Sequence, residues 1–230
     1  MPLVLRLERP GGDVPPPARA ALLEASAAAS LALCLDERAA PGGPWYDAVA
    51  TWAGAGRIRK VARRARTSHW RAVQDVGGLT VERGGAEVRG LVPGPVDDVP
   101  HEVRRLQIGG TDLPSDPAEE EAAPDGPVVW LNPEVEQSTG KAAAQVGHAA
   151  MILAVVLAAA GEDPADALRA TVRTASTTDW EIWNATLGQD GAGREAWERH
   201  GVAPVRDAGF TEVAPGTVTA IAQSAAGRRP

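Results

Sequence analysis

The chain has 230 residues, 44% of them hydrophobic, and a formal net charge of −7. That is enough for one large or two small domains with a real core, and it excludes a disordered tail. Six acids (Asp112, Asp116, Glu119, Glu120, Glu121 and Asp125) fall between Gly109 and Pro127 with no Lys or Arg among them. The rest of the chain is therefore close to neutral, and the acidic balance does not exclude a nucleic-acid partner.

The opening, MPLVLRLERPGG, places charges inside a short apolar stretch and lacks a small-residue cleavage site, so it does not read as a secretory signal and the protein is expected in the cytoplasm. Within it Leu3–Leu7 reads as a short apolar strand, followed by an Ala-rich helix over Pro17–Leu33. The single cysteine, Cys34, lies in the apolar run Ala29–Leu35. One thiol builds neither a disulfide framework nor a Cys-based metal centre, and this one reads as buried and inert. Arg57–Arg66 is ambiguous between helix and strand, because Ile58, Val61, Ala62 and Ala65 follow helical spacing; it is taken as a strand. Gly109–Pro127 combines Pro, Gly and like charges with little to bury, which makes it a linker between lobes 1–108 and 128–230.

The second half repeats the order of the first. Val128–Leu131 is a short apolar strand and Lys141–Ala160 an Ala-rich helix. Ala142–Ala160 carries Gln145 and His148 and falls short of a comfortable bilayer span of about 20 apolar residues, so it reads as a buried helix and no membrane partner is expected. ARRARTSHW at Ala62–Trp70 parallels VRTASTTDW at Val172–Trp180, an offset of 110, with Thr67-Ser68 and Thr177-Thr178 placed as helix N-caps. Ala86-Glu87-Val88 matches Thr211-Glu212-Val213 at an offset of 125. Four short matches in one order point to an internal duplication. The expected fold is α/β, a three-layer α/β/α sandwich around a mixed sheet in two similar lobes, since the last strands of each half follow too closely for helical crossovers.

Two segments carry candidate chemistry. In Ser138-Thr139-Gly140-Lys141-Ala142-Ala143-Ala144-Gln145-Val146-Gly147-His148, Ser138 or Thr139 can cap the helix, and Lys141, Gln145 and His148 share one face at i, i+4 and i+7. A phosphate loop is excluded because Val135 and Ala142 stand where Gly and Ser or Thr are needed. Lys141 in the first turn opposes the helix dipole, which asks for compensation. In the second segment, Asp207-Ala208-Gly209-Phe210-Thr211 followed by Ala214-Pro215-Gly216-Thr217, a carboxylate and a hydroxyl at i and i+4 flank a turn at a sheet edge. The histidines His69, His101, His148 and His200 are dispersed and no Ser sits in a nucleophile elbow, so neither metal nor cofactor is expected.

Together, GKAAAQVGHA at Gly140–Ala149 and DAGFTEVAPGT at Asp207–Thr217 resemble the archaeal and eukaryotic type of peptidyl-tRNA hydrolase, the second of two unrelated families with that activity, over Val128 to about Ala222. The resemblance implies an α/β/α fold and hydrolysis of the ester joining a stalled peptide to the tRNA terminal ribose. It implies that Lys141 supplies positive charge to the developing oxyanion or a nearby phosphate, that Asp207 orients or deprotonates the attacking water, and that Thr211 hydrogen-bonds in the same site. Gln145 and His148 match the helix motif and Glu134 keeps a family carboxylate; all three are substrate-binding candidates. The family carries an Arg nine residues before the motif lysine, an Arg after Asp-Ala-Gly and then a Gln, where this chain has Asn132, Phe210 and Glu212.

Two cationic contacts to RNA are thereby missing, and the first half offers replacements. Arg57, Arg59, Lys60, Arg63, Arg64, Arg66 and Arg71 form a strip with no acid, beside Trp52 and Trp70. Arg63, Arg64 and Arg66 are its substrate-binding candidates, and the strip reads equally as a solvated face answering the acidic linker. The first lobe, with Ala20 and Ala86 set against Lys141 and Thr211, is expected to be catalytically silent, giving a monomer that acts as a pseudo-dimer. A non-catalytic RNA- or protein-binding member of the fold is the alternative.

Overall fold

The structure, a computed structural model, describes residues 1–9, 11, 14–56, 58–116, 124–190, 193–209 and 212–225. Contacts divide the chain into two compact units, Met1–Asp116 with Ser138–Gly147, and Pro117–Gln137 with His148–Pro230.

The first unit contains β1 (Pro2–Arg6), α1 (Arg19–Leu35), α2 (Tyr46–Gly54), β2 (Val61–Ala65), α3 (Thr67–Val73), β3 (Gly78–Arg83), β4 (Ala86–Leu91) and α4 (His101–Arg104). Its sheet has the order β2-β1-β4-β3, with β1 parallel to β2 and antiparallel to β4. Leu3, Val4 and Leu5 are all fully buried, as an unbroken apolar run must be in a central strand covered on both faces. Val4 joins Ala65, Trp70, Val73, Leu91 and Val103 in one cluster, while Leu3 packs with Met1 and Leu33. Arg57–Arg66, taken as a strand, holds β2 in its second half.

Two glycine requirements shape this sheet. Gly84 and Gly85, at φ 51° and 79°, make the tight turn between β3 and β4, a conformation that L side chains avoid. A Cβ on Gly90 would lie 2.7 Å from the Ala29 carbonyl oxygen, so α1 approaches β4 only because that position is bare. The buried hydroxyls of Ser26 and Ser30 donate to the Leu22 and Ser26 carbonyls within α1, leaving no unsatisfied group on an otherwise apolar helix.

The second unit contains β5 (Val128–Leu131), β6 (Thr171–Thr174), α6 (Thr177–Asp190), α7 (Arg194–His200), β7 (Val202–Arg206) and β8 (Val218–Gln223). The sheet order is β6-β5-β8-β7, with β5 parallel to β6 and antiparallel to β8. Pro204 is tolerated in β7 because that strand is an edge. The core gathers Trp130, Trp180, Trp183, Leu187 and Ile221, with the Trp130 and Trp183 rings tilted at 42° and 5.8 Å apart. The Trp130 indole donates to Gln223 Oε1 at 2.8 Å. Helix α5 (Thr139–Ala159) begins in the first unit and continues into the second. At 21 residues it is long and apolar enough to cross a membrane by length and composition, and its most apolar window is 56% buried within the protein.

The fold is thus mixed α/β with two four-stranded mixed sheets of the same strand order and sense. When the two sheets are laid over each other by strand order, two of the sequence matches do not fall on equivalent positions. Setting Trp70 over Trp180 puts Ala65 on Ala175 and Val61 on Thr171, and the strand pairings Pro2 with Val61 and Val128 with Thr171 then set Val4, not Leu5, over Trp130. By its place in the order β4 answers to β8, so Ala86-Glu87-Val88 falls on the start of β8. The helix caps also differ. Ser176 Oγ accepts from the Asp179 amide at 3.1 Å, and at α3 the cap is the Glu8 carboxylate, which accepts from the Thr67 amide at 2.9 Å.

Candidate functional site

In the second unit, β5 and β7 both run antiparallel to β8, so their C-terminal ends meet the start of β8 at one end of the sheet. The Asn132 amide N–H donates to the Thr219 carbonyl and the Asp207 amide to the Thr217 carbonyl, which brackets that end between them. Asp207 is half-buried, and its Oδ1 accepts from the Gly209 amide at 2.7 Å, an Asx turn that fixes the carboxylate. Asn132 is buried: its Nδ2 donates to the Val218 carbonyl at 2.8 Å and its Oδ1 accepts from the Glu134 amide at 2.8 Å. The uncharged residue at this position therefore closes the turn out of β5, and Glu134 beyond it is exposed. Thr211 and Phe210 lie outside the described residues.

Lys141 follows in the first turn of α5. The amides of that turn are all satisfied: Thr139 donates to Asp112 Oδ1, Gly140 to Thr111 Oγ1 and Lys141 to Ser138 Oγ. Ser138 is thus the cap, and Asp112 supplies the negative charge that offsets a lysine at a helix N-terminus. Gly140 is needed because its Cβ would stand 2.7 Å from Thr111 Oγ1. Lys141 and His148 are half-buried while Gln145 is buried, so the polar face has two partly accessible positions and one dry one. Lys141 and Gln145 belong to the first unit and His148, Glu134 and Asp207 to the second.

Three residues of the acidic segment, Thr111, Asp112 and Asp116, cap helices. Besides Thr111 and Asp112 at α5, the Asp116 carboxylate accepts from the amides of Arg19 and Ala20 at 2.8 and 2.6 Å, capping α1. These caps come from a segment with the composition of a linker.

The basic strip does not form a single face. Lys60 is 9% exposed and burial lowers its ammonium to about 7, with the Cys34 thiol opposing the shift. Arg63 and Arg64, adjacent on β2, project to opposite faces: Arg63 donates to the Leu106 carbonyl and Arg64 to the Gly110 carbonyl, both at 2.9 Å, and to Gln107 Oε1. Arg66 Nε donates to the Leu7 carbonyl at 3.0 Å. Arg57 lies outside the described residues.

Arg64, Arg66 and Arg71 instead join Arg6, Arg9 and Arg105 around a concavity of about 690 Å³ at the C-terminal ends of β1 and β2. Glu8 is its acidic lining residue. Burial would raise that carboxyl, but hydrogen bonds from Thr67 and Arg6 hold it below the usual carboxylate range. When the two sheets are laid over each other by strand order, Arg6 falls on Asn132 and Glu8 on Glu134. Among the described residues no group of three or more His, Cys, Asp and Glu side chains could hold a metal ion. Set against known proteins, the chain matches no family model, no curated protein and no solved structure.

Proposed function

We propose that the chain hydrolyses the ester of peptidyl-tRNA, releasing peptide and free tRNA in the cytoplasm. The observation that carries the reading is the meeting of the β5 and β7 ends at the start of β8, which brings Asn132 after β5 and Asp207 after β7 to one end of one sheet. Asp207, held by the Gly209 amide, accepts a proton from the attacking water. Lys141 stabilises the oxyanion on the former ester carbonyl, Thr211 hydrogen-bonds beside it, and the ribose hydroxyl leaves with a proton. Gln145, His148 and Glu134 contact the substrate, while Arg63, Arg64 and Arg66 meet RNA phosphates. The shared strand order supports an internal duplication; on this reading the fold is a three-layer α/β/α sandwich in two lobes, a monomer acting as a pseudo-dimer whose first lobe is silent in catalysis.

One observation favours a second reading, a non-catalytic RNA- or protein-binding member of the fold: the Asn132 side chain donates and accepts within the turn and brings no charge to the sheet end. The two are separated by incubating the intact chain with a blocked aminoacyl-tRNA and following free tRNA. Hydrolysis is expected. Salt-dependent tRNA binding without release would establish the second reading in its RNA-binding form, and neither binding nor release would overturn both that form and the first reading.

A further inference from the structure

We propose that the arginine-lined concavity of the first unit binds a chain of linked phosphate groups. Arg6, Arg9, Arg64, Arg66, Arg71 and Arg105 line a space of about 690 Å³, within the size range of small-ligand sites. The charge balance identifies the ligand class. Glu8 is occupied by the Thr67 amide, the Thr67 hydroxyl and Arg6, and Arg6 also pairs with Glu87. Among the described residues, six guanidiniums against those two carboxylates leave a local excess of four positive charges in a chain whose net charge is −7. A triphosphate carries about four negative charges at neutral pH, and planar guanidinium groups match its oxygens in pairs.

The arginines are also positioned ahead of any ligand. Arg64 is anchored to the Gly110 carbonyl and Arg66 to the Leu7 carbonyl, while Arg9, Arg71 and Arg105 are exposed at the rim. Burial lowers the Arg64 guanidinium, and the nearby charges of Arg66 and Arg9 lower it further, which is the mutual repulsion that a polyanion relieves. The Glu8 clamp holds Thr67 at φ 38°, a left-handed conformation rare for a β-branched residue, so the wall of the concavity is kept in a strained form by the same carboxylate. Trp70 is 6% exposed and offers no stacking surface, so the phosphates and not a base define the ligand. Free nucleoside triphosphate and an RNA backbone share this chemistry. The inference is independent of ester hydrolysis, which a failed tRNA assay would leave standing or falling on its own.

The test is titration calorimetry of the intact chain with inorganic tripolyphosphate, in parallel with the double variant Arg71→Ser/Arg105→Ser and with Arg169→Ser/Arg199→Ser, which makes the same charge change in the second unit. Saturable binding is expected, weakened at least tenfold in the first variant and less than twofold in the second. Displacement of tripolyphosphate by a single-stranded RNA oligomer would identify nucleic acid as the source of the phosphates, and displacement by ATP alone would identify a free nucleotide. Absence of binding, or equal weakening by both double variants, would overturn the proposal.

Discussion

Lys60 gives the sharpest stability prediction. Its side chain packs where a Cβ on Gly147 would lie 3.1 Å from Lys60 Cδ, and its ammonium stands 5.4 Å from the Trp52 ring centroid. Burial moves its pKa from 10.5 down to about 7. The unfolded chain therefore binds more protons than the folded one between those two values, and stability rises with pH across that window. At about 1.4 kcal/mol per pKa unit, the lysine contributes a gain of about 2 kcal/mol between pH 7 and pH 9. Two neighbours titrate nearby. The Met1 amine, lowered to about 5 mainly by burial, acts in the same direction, and the Cys34 thiol, pushed up by burial, acts in the opposite one. Both groups remain in Lys60→Met but lose the Lys60 charge, so the difference between wild type and variant reads the lysine together with its coupling to them. Urea unfolding at pH 7, 8 and 9 should show the wild type gaining about 2 kcal/mol more than the variant over that range. Parallel pH profiles for the two proteins would refute the assignment of a buried, weakly protonated ammonium.

Two further perturbations probe the frame. Asp116→Ala removes the acceptor shared by the first amides of α1 and should cost about 1 kcal/mol, read as a lower urea midpoint, with Asp116→Asn retaining most of the loss-sensitive cap; an unchanged midpoint in Asp116→Ala would show that the acidic segment does not hold α1. Gly147→Ala places a methyl 2.4 Å from Ser30 Oγ and should destabilise by about 1–3 kcal/mol in the same measurement, partly restored by Ser30→Ala; a neutral Gly147→Ala would contradict the close approach of α5 to α1.

Much of the fold is legible because β1 and β5 are unbroken apolar runs, and such runs mark central strands whatever surrounds them. The same property hid the register. Leu3, Val4 and Leu5 are all buried, as are Val128 to Leu131, so no alternation distinguishes one face from the other and a match by letters slipped by one residue. The caps from Thr111, Asp112 and Asp116 were invisible because a Pro- and acid-rich stretch has the composition of a linker, and nothing local says that its side chains reach helices far along the chain. In the candidate site, Asp207 and Asn132 come from segments that sequence singled out, whereas the arginine concavity did not appear in it. Arg6, Arg9 and Arg105 are distant in sequence from Arg64 and Arg66, and β2 sends the adjacent Arg63 to the opposite face.

The most direct test of the proposed activity is the single-turnover rate of peptidyl-ester cleavage on a blocked aminoacyl-tRNA by the intact chain, by Lys141→Ala and by Asp207→Asn. The wild type should release free tRNA, and each variant should be slower by about a hundredfold or more with tRNA binding retained. Equal rates in all three proteins, or no cleavage by the wild type, would contradict the assignment of Lys141 and Asp207 to ester hydrolysis.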